Sequence, residues 1–212
     1  MSYVDFHVLQ STGPANLNRD DSGSPKSTYF GGTRRARVSS QSWKRAIRRE
    51  FQEIFDPSDL GERTLRTVER IESIIIKQKP EYEDQAETMA VEALKAAGLK
   101  MAKSKKSKDG DVEPAKPLTE YLVFLGRSQI EALAALAIDA YANNDGKFDK
   151  KLVKQAFTDD HAYDVALFGR MIADAPDLNA DACCQVAHAI SVHPLDAEFD
   201  YFTAVDDNAP ED

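Results

Sequence analysis

The chain has 212 residues, of which 42% are hydrophobic and 30% charged, and a net charge of −9. These totals describe a globular chain able to bury a core and exclude a fibrous or disordered one, while its longest apolar stretches, such as Ala132 to Ile138, fall far short of the ~20 residues of a membrane helix. The two cysteines are adjacent, at Cys183 and Cys184, which excludes a disulfide framework and fits a reducing cytoplasm.

The first residues have neither a basic region nor an apolar run, so no signal peptide is expected. Residues 3–9 alternate, with Val4, Phe6 and Val8 on one face, and predict a strand. Residues 10–33 are rich in Ser, Thr, Gly, Asn and Asp, end at Gly31-Gly32, and predict a long irregular loop. An extended piece at 34–38 leads into a helix at about 40–53, capped by Ser39 or Ser40 and striped with Trp43, Ala46, Ile47 and Phe51. A second helix is expected at 61–77, with Leu65, Val68, Ile71, Ile74 and Ile75 inward. A third opens at Pro80 and stops at Gly98.

Residues 103–110 are of low complexity and expected to be mobile, and 119–125 read as a strand or the start of a helix. Ser128 with Glu131 suggests a capping box for an Ala/Leu helix ending near 143–146, and Asp149 caps a short helix at 149–157. Residues 163–168 read as a strand, 181–191 as a helix that buries Ala182, Val186, Ala187 and Ile190, and 201–205 as a last strand. Cys183-Cys184 then reads as core filling. Strands at both ends and helices between them predict an α+β fold. The expected domains are 1–54, a helical insertion at 55–157, and a return at 158–212.

The charge is unevenly spread. Residues 1–49 carry nine Lys/Arg against three Asp, whereas 155–212 carry one Arg against eleven Asp and two Glu. Such a chain can grip an anion with one end while the rest keeps it soluble, or it can pack head to tail with its own copies.

The strongest signal for function is 34–49, with seven Arg/Lys and no acid. Helical spacing sets Lys44 with Arg48, and Arg45 with Arg49, on two rails flanking the apolar stripe. Ser39, Ser40, Gln41 and Ser42 at the helix start offer a phosphate seat. Arg34, Arg35 and Arg37 approach from the preceding segment, and Arg19 and Lys26 from the long loop. Contacts of this kind hold a backbone and read no sequence; the alternative is a solvated basic helix.

Tyr201 and Phe202 read as core aromatics or as platforms for bases, and Met171 as a core residue or a wedge. Lys147, Lys150, Lys151 and Lys154 form a second basic surface or a solvated helix. His7, His161, His188 and His193 lack metal spacing, and no phosphate-binding Gly loop or nucleophile elbow occurs, so no catalytic residue, metal or cofactor is expected. Asp20-Asp21 would serve as a metal or acid/base pair, or as an Asx turn.

Asn18-Arg19-Asp20-Asp21, Phe30-Gly31-Gly32 with Arg34-Arg35 and Arg37, and Ser39-Ser40-Gln41-Ser42 with Lys44-Arg45-Ala46 resemble the CasC-type backbone subunit of the type I-E CRISPR Cascade complex. Gly169-Arg170-Met171, Ala187-His188-Ala189-Ile190 and Phe202-Thr203-Ala204-Val205-Asp206-Asp207 follow in the same order. The resemblance implies a hand-shaped subunit: a palm with an RNA-recognition-motif-like (ferredoxin-like) sheet, helical fingers and a β-hairpin thumb. It implies a non-catalytic protein that polymerises along a guide RNA (crRNA) in antiviral defence. Its partners would be other copies of itself, other Cascade subunits and the target DNA strand. Guide phosphates would meet Arg19, Lys26, Ser39, Gln41, Lys44 and Arg48; Met171 and Phe202 would flank splayed bases; Lys150, Lys151 and Lys154 would help to hold target DNA. The thumb and C-terminal palm of the family are expected to be missing from this chain. Related backbone subunits cut RNA, so a metal-dependent endoribonuclease using Asp20 or Asp21 is the rival reading, and a protein-interaction module is the third.

Overall fold

The computed structural model describes residues 2–13, 15–102 and 116–196. It divides into two compact units, Met1–Trp43 with Val186–Asp212, and Lys44–Gln185.

The first unit is built on a hairpin. β1 (Ser27–Phe30) and β2 (Thr33–Val38) pair antiparallel, and β5 (Ala189–Ile190) adds to the other edge of β2. Gly31 and Gly32 join β1 to β2 at φ +63° and +76°. A two-residue turn with both φ values positive matches the twist of the flanking strands, and glycine adopts it without strain. Among the described residues of this unit, only Ser39 is buried. Among the described residues, the sheet is held by its ladder and by polar ties. Ser191 supplies two of them, donating its N–H to the Ala36 carbonyl at 2.9 Å and accepting the Ala36 N–H on Oγ at 3.0 Å. Helix α1 (Ser40–Ile54) starts here and continues into the second unit.

The second unit holds the core. α2 (Thr67–Gln78), α3 (Ala86–Ala97), α4 (Arg127–Asn143) and α5 (Lys150–Thr158) pack around Ile71, Ile75, Met89, Leu94, Leu133 and Phe157, all fully buried. Each such aliphatic side chain contributes about 1.5–3 kcal/mol on leaving water. Small Ala90, Ala93, Ala134 and Ala137 sit at 0% exposure among them. β3 (Gly61–Thr64) pairs antiparallel with the buried β4 (Val123–Gly126). Gly98, at φ +100°, ends α3 as expected, and Asp149 caps α5 by accepting the Lys151 N–H at 2.8 Å.

Several expectations are corrected. Residues 3–9 form no strand, and Val4, Phe6 and Val8 are exposed. Alternation marks a strand's faces, but a strand also needs a neighbour for its backbone groups, and no described strand pairs with it. The predicted loop at 10–33 contains β1. Residues 61–64 are β3 instead of the first turn of a helix, and α2 starts at Thr67. Ser128 and Glu131 form no capping box: α4 begins at Arg127, Ser128 Oγ donates to the Asp160 carbonyl, and Gln129 Oε1 accepts the Gly126 N–H at 3.1 Å.

Residues 163–168 form helix α6 (Tyr163–Phe168), a run too short for its period to distinguish helix from strand. Residues 181–191 form no helix. The Cys183 and Cys184 amides instead satisfy the Ala166 and Leu167 carbonyls left open at the end of α6. Cys183 is exposed and Cys184 half-buried, so neither fills the core. The expected strand at 201–205, Phe202 and the segment 103–110 lie outside the described residues.

Candidate nucleic-acid interface

In the first unit, strand pairing decides where the arginines of β2 point. Alternation sets Arg34 and Ala36 on one face and Arg35 and Arg37 on the other. Arg34 is exposed; its Nε donates to Ser27 Oγ at 3.0 Å, and its Nη groups have no partner among the described residues. Arg35 is more committed, donating from Nε to the Phe30 carbonyl and from Nη1 to the Ser191 carbonyl, both at 3.0 Å. Arg37 Nε is buried without a partner among the described residues. The hairpin therefore presents Arg34 outward and uses Arg35 to tie the sheet.

The loop residues converge on the strand by backbone bonds. The Arg37 N–H donates to the Lys26 carbonyl at 3.0 Å and the Lys26 N–H to the Asn18 carbonyl at 2.8 Å. Arg19 pairs with Pro25 across the loop in an isolated bridge and is itself exposed. Asp20 makes an Asx turn: its Oδ1 accepts the Ser22 N–H, the Ser22 hydroxyl and the Ser24 N–H within 2.9 Å. The Ser22 side-chain bond is the main cause holding this carboxyl below the usual aspartate range. No cluster of three or more His, Cys, Asp or Glu able to hold a metal occurs among the described residues.

The start of α1 is less open than the serines suggested. The Ser40 N–H donates to His188 Nδ1 at 2.9 Å, and the Ser42 N–H to Ser39 Oγ at 3.3 Å. Asn18 Oδ1 takes the Ser39 N–H at 2.9 Å. Protein groups thus occupy most of the expected phosphate seat, leaving the Gln41 amide and the exposed Gln41 side chain. The role of His188 had no signal in its spacing, because capping needs a ring brought from 148 positions away.

In the second unit, Lys44 Nζ lies 5.8 Å above the Phe168 ring, while Arg45 and Arg49 are exposed. Arg48 departs from the expectation of a free outer rail. Its Nε donates to Asp164 Oδ2 at 2.9 Å, its Nη2 donates to the Gly61 carbonyl at 3.1 Å, and its guanidinium lies 4.2 Å from the Phe124 ring centre. The apolar stripe is also shallower than expected, since no residue of α1 is buried and Trp43 is exposed.

Lys150 and Lys151 are exposed on α5, whereas Lys154 pairs with Asp177. Met171 is 79% exposed and so is no core residue. Its neighbour Arg170 is buried, and it donates to the carbonyls of Leu178, Phe157 and Phe124 and to Gln129 Oε1. Burial lowers the Arg170 pKa to about 10. Gly169 holds φ +75°, and a Cβ there would meet the Ala180 carbonyl oxygen at 2.9 Å. Glycine, arginine and methionine thus form a short segment bridged to Ala180, whose middle residue is anchored and whose last is exposed.

This succession of sites, from the basic hairpin to the anchored Arg170, runs through a sequence that matches one family model over residues 4–212, described as CT1975-like protein. The chain belongs to the CT1975-like family. Among solved structures, this member of the family is similar to a chain titled "CRISPR RNA-guided surveillance complex", at 34% identity over 84% of this chain and 55% of that one, with a TM-score of 0.67. It is similar also to a chain of a "CRISPR RNA-guided surveillance complex, pre-nicking", at 35% identity over 92% and 54%, with a TM-score of 0.69. The chain therefore spans about half the length of these structures. No curated protein matches it. No helix among the described residues is long and apolar enough to cross a membrane.

Proposed function

We propose that this chain is a non-catalytic, guide-RNA-holding backbone subunit of a Cascade-type CRISPR complex, of the CasC kind found in type I-E systems. The observation that carries the reading is the hairpin of β1 and β2, which turns the exposed Arg34 outward at the head of a basic run, in a chain similar to subunits of RNA-guided surveillance complexes. Arg34, Arg19, Lys26 and Gln41 in the first unit, and Lys44 and Arg45 in the second, are the groups available for phosphates. Met171 is available to press against a base, and the exposed Lys150 and Lys151 to meet a target DNA strand. Arg48 supports α1 through its bonds to Asp164 and Gly61. The antiparallel sheet β1-β2-β5 would belong to an RNA-recognition-motif-like palm, and the helices of the second unit to the fingers. Copies of the chain would line up along one guide in the cytoplasm.

The test is the absorbance ratio of the purified chain before and after ribonuclease, read with its size on a column. Co-purifying RNA whose removal shrinks the particle is expected; protein free of RNA from the start would refute the reading. Labelled RNA incubated with Mg²⁺ or Mn²⁺ should stay intact, and discrete products would favour the nuclease instead.

A further inference from the structure

Resting on the RNA-holding reading, we infer that Tyr29 is a stacking platform for one base of a single-stranded RNA whose adjoining phosphate sits on Arg34 and Ser27. Register carries the argument. Tyr29 lies directly opposite Arg34 in the β1–β2 ladder, and Ser27 opposite Ala36. Residues facing each other across antiparallel strands share a face, with Cβ atoms about 4.5–5.5 Å apart. Tyr29, Arg34 and Ser27 therefore stand together on one side of the hairpin.

Each has spare capacity. The Tyr29 side chain is 80% exposed, on an edge strand where a tyrosine would ordinarily bury part of its ring against a neighbour. Arg34 uses only Nε, toward Ser27 Oγ at 3.0 Å, which lays the guanidinium across the face and keeps its two Nη groups for an anion. Ser27 Oγ accepts that bond, and its own hydrogen has no acceptor among the described residues. A flat ring beside a guanidinium and a hydroxyl donor takes an aromatic base with its phosphate. Such a pairing is tolerant of sequence, because every base has a π face. The charge of the hairpin segment favours nucleic acid over a protein occupant, since residues 19–37 hold five Lys/Arg against two Asp.

The experiment uses the full chain and two fluorescein-labelled probes, a short oligouridylate and the same ribose-phosphate chain without bases, followed by anisotropy. Tyr29→Ala should weaken binding of the base-bearing probe about tenfold and leave the abasic probe unchanged, while Tyr29→Trp should restore the first. Equal losses for both probes, or no loss for either, would overturn the proposal. So would a Tyr29→Ala chain whose size on a column changes while its RNA affinity does not, an outcome that assigns the ring to a protein contact. If the parent chain binds neither probe, the RNA-holding reading itself falls, and the stacking site with it; parental binding that survives Tyr29→Ala defeats the stacking site alone.

Discussion

Arg48 and Asp164 form an ion pair at 2.9 Å in which the carboxylate is almost fully enclosed, its side chain 3% exposed. The second oxygen of Asp164 accepts the Gly61 N–H at 2.8 Å, so one carboxylate ties α1, β3 and α6 together. A basic residue that the spacing of the helix offered to phosphates is thereby part of the fold.

Breaking this pair strands a buried charge. Arg48→Met should lower stability by about 3–5 kcal/mol in urea unfolding. Adding Asp164→Asn removes the stranded charge and keeps an oxygen for Gly61. The double variant should be more stable than Arg48→Met alone, and a simple sum of two losses would refute the pairing as described.

Arg34 should behave in the opposite way. Arg34→Ala should leave the urea midpoint within error of the parent and weaken binding of every single-stranded RNA alike. Its plot of log affinity against log salt should flatten by ~0.7, the slope of one lost phosphate contact. A loss confined to certain sequences would mean that Arg34 reads bases.

Arg170 serves a set of buried carbonyls. Arg170→Met fills much of the volume but takes both Arg170 donors from the Leu178 carbonyl and one each from the Phe157 and Phe124 carbonyls, of which Phe157 keeps the Gln129 amide. With about 1–3 kcal/mol for an orphaned buried acceptor, a loss on the order of 1–3 kcal/mol is expected from thermal or urea melts. Met171→Ala, one residue on but exposed, should leave the melt unchanged.

His161 links stability to pH. Burial, and then the nearby Arg170 charge, hold its pKa below the ordinary 6.5, and its Nδ1 lies 2.9 Å from Gln129 Nε2. A neutral ring accepts that amide; a protonated ring cannot. Because the folded pKa is below the unfolded one, the contribution is complete above pH 6.5 and declines as the pH falls through it toward the folded value. The melting temperature should therefore drop between about pH 7 and pH 5, and His161→Gln should show a smaller drop over that window.

His188 closes the first amide of α1 from a distant segment. His188→Ala should cost about 0.5–2 kcal/mol, the usual range for a lost helix cap. Hydrogen exchange should then speed up at Ser40, with little change in α4.

Much of the second unit was legible in order. The stripe of α2, the Gly98 stop and the Asp149 cap follow from contacts within a few residues, which sequence spacing records directly. The basic run at 34–49 was equally plain. Short runs were not: 163–168 became a helix and 181–191 became extended chain, because their state depends on which distant carbonyls need donors.

The sequence by itself determined that one end of this chain is basic, that a helix follows Ser39, and that Arg34 to Arg49 are candidates for phosphate. Only the tertiary structure decided which of those cations are free. Arg34 points outward because strand register sets it opposite Tyr29, whereas Arg48 turns inward because a buried carboxylate arrives from 116 positions away. A charge is cheap to leave in water and costly to bury unpaired, so its partner, which spacing does not reveal, sets its role.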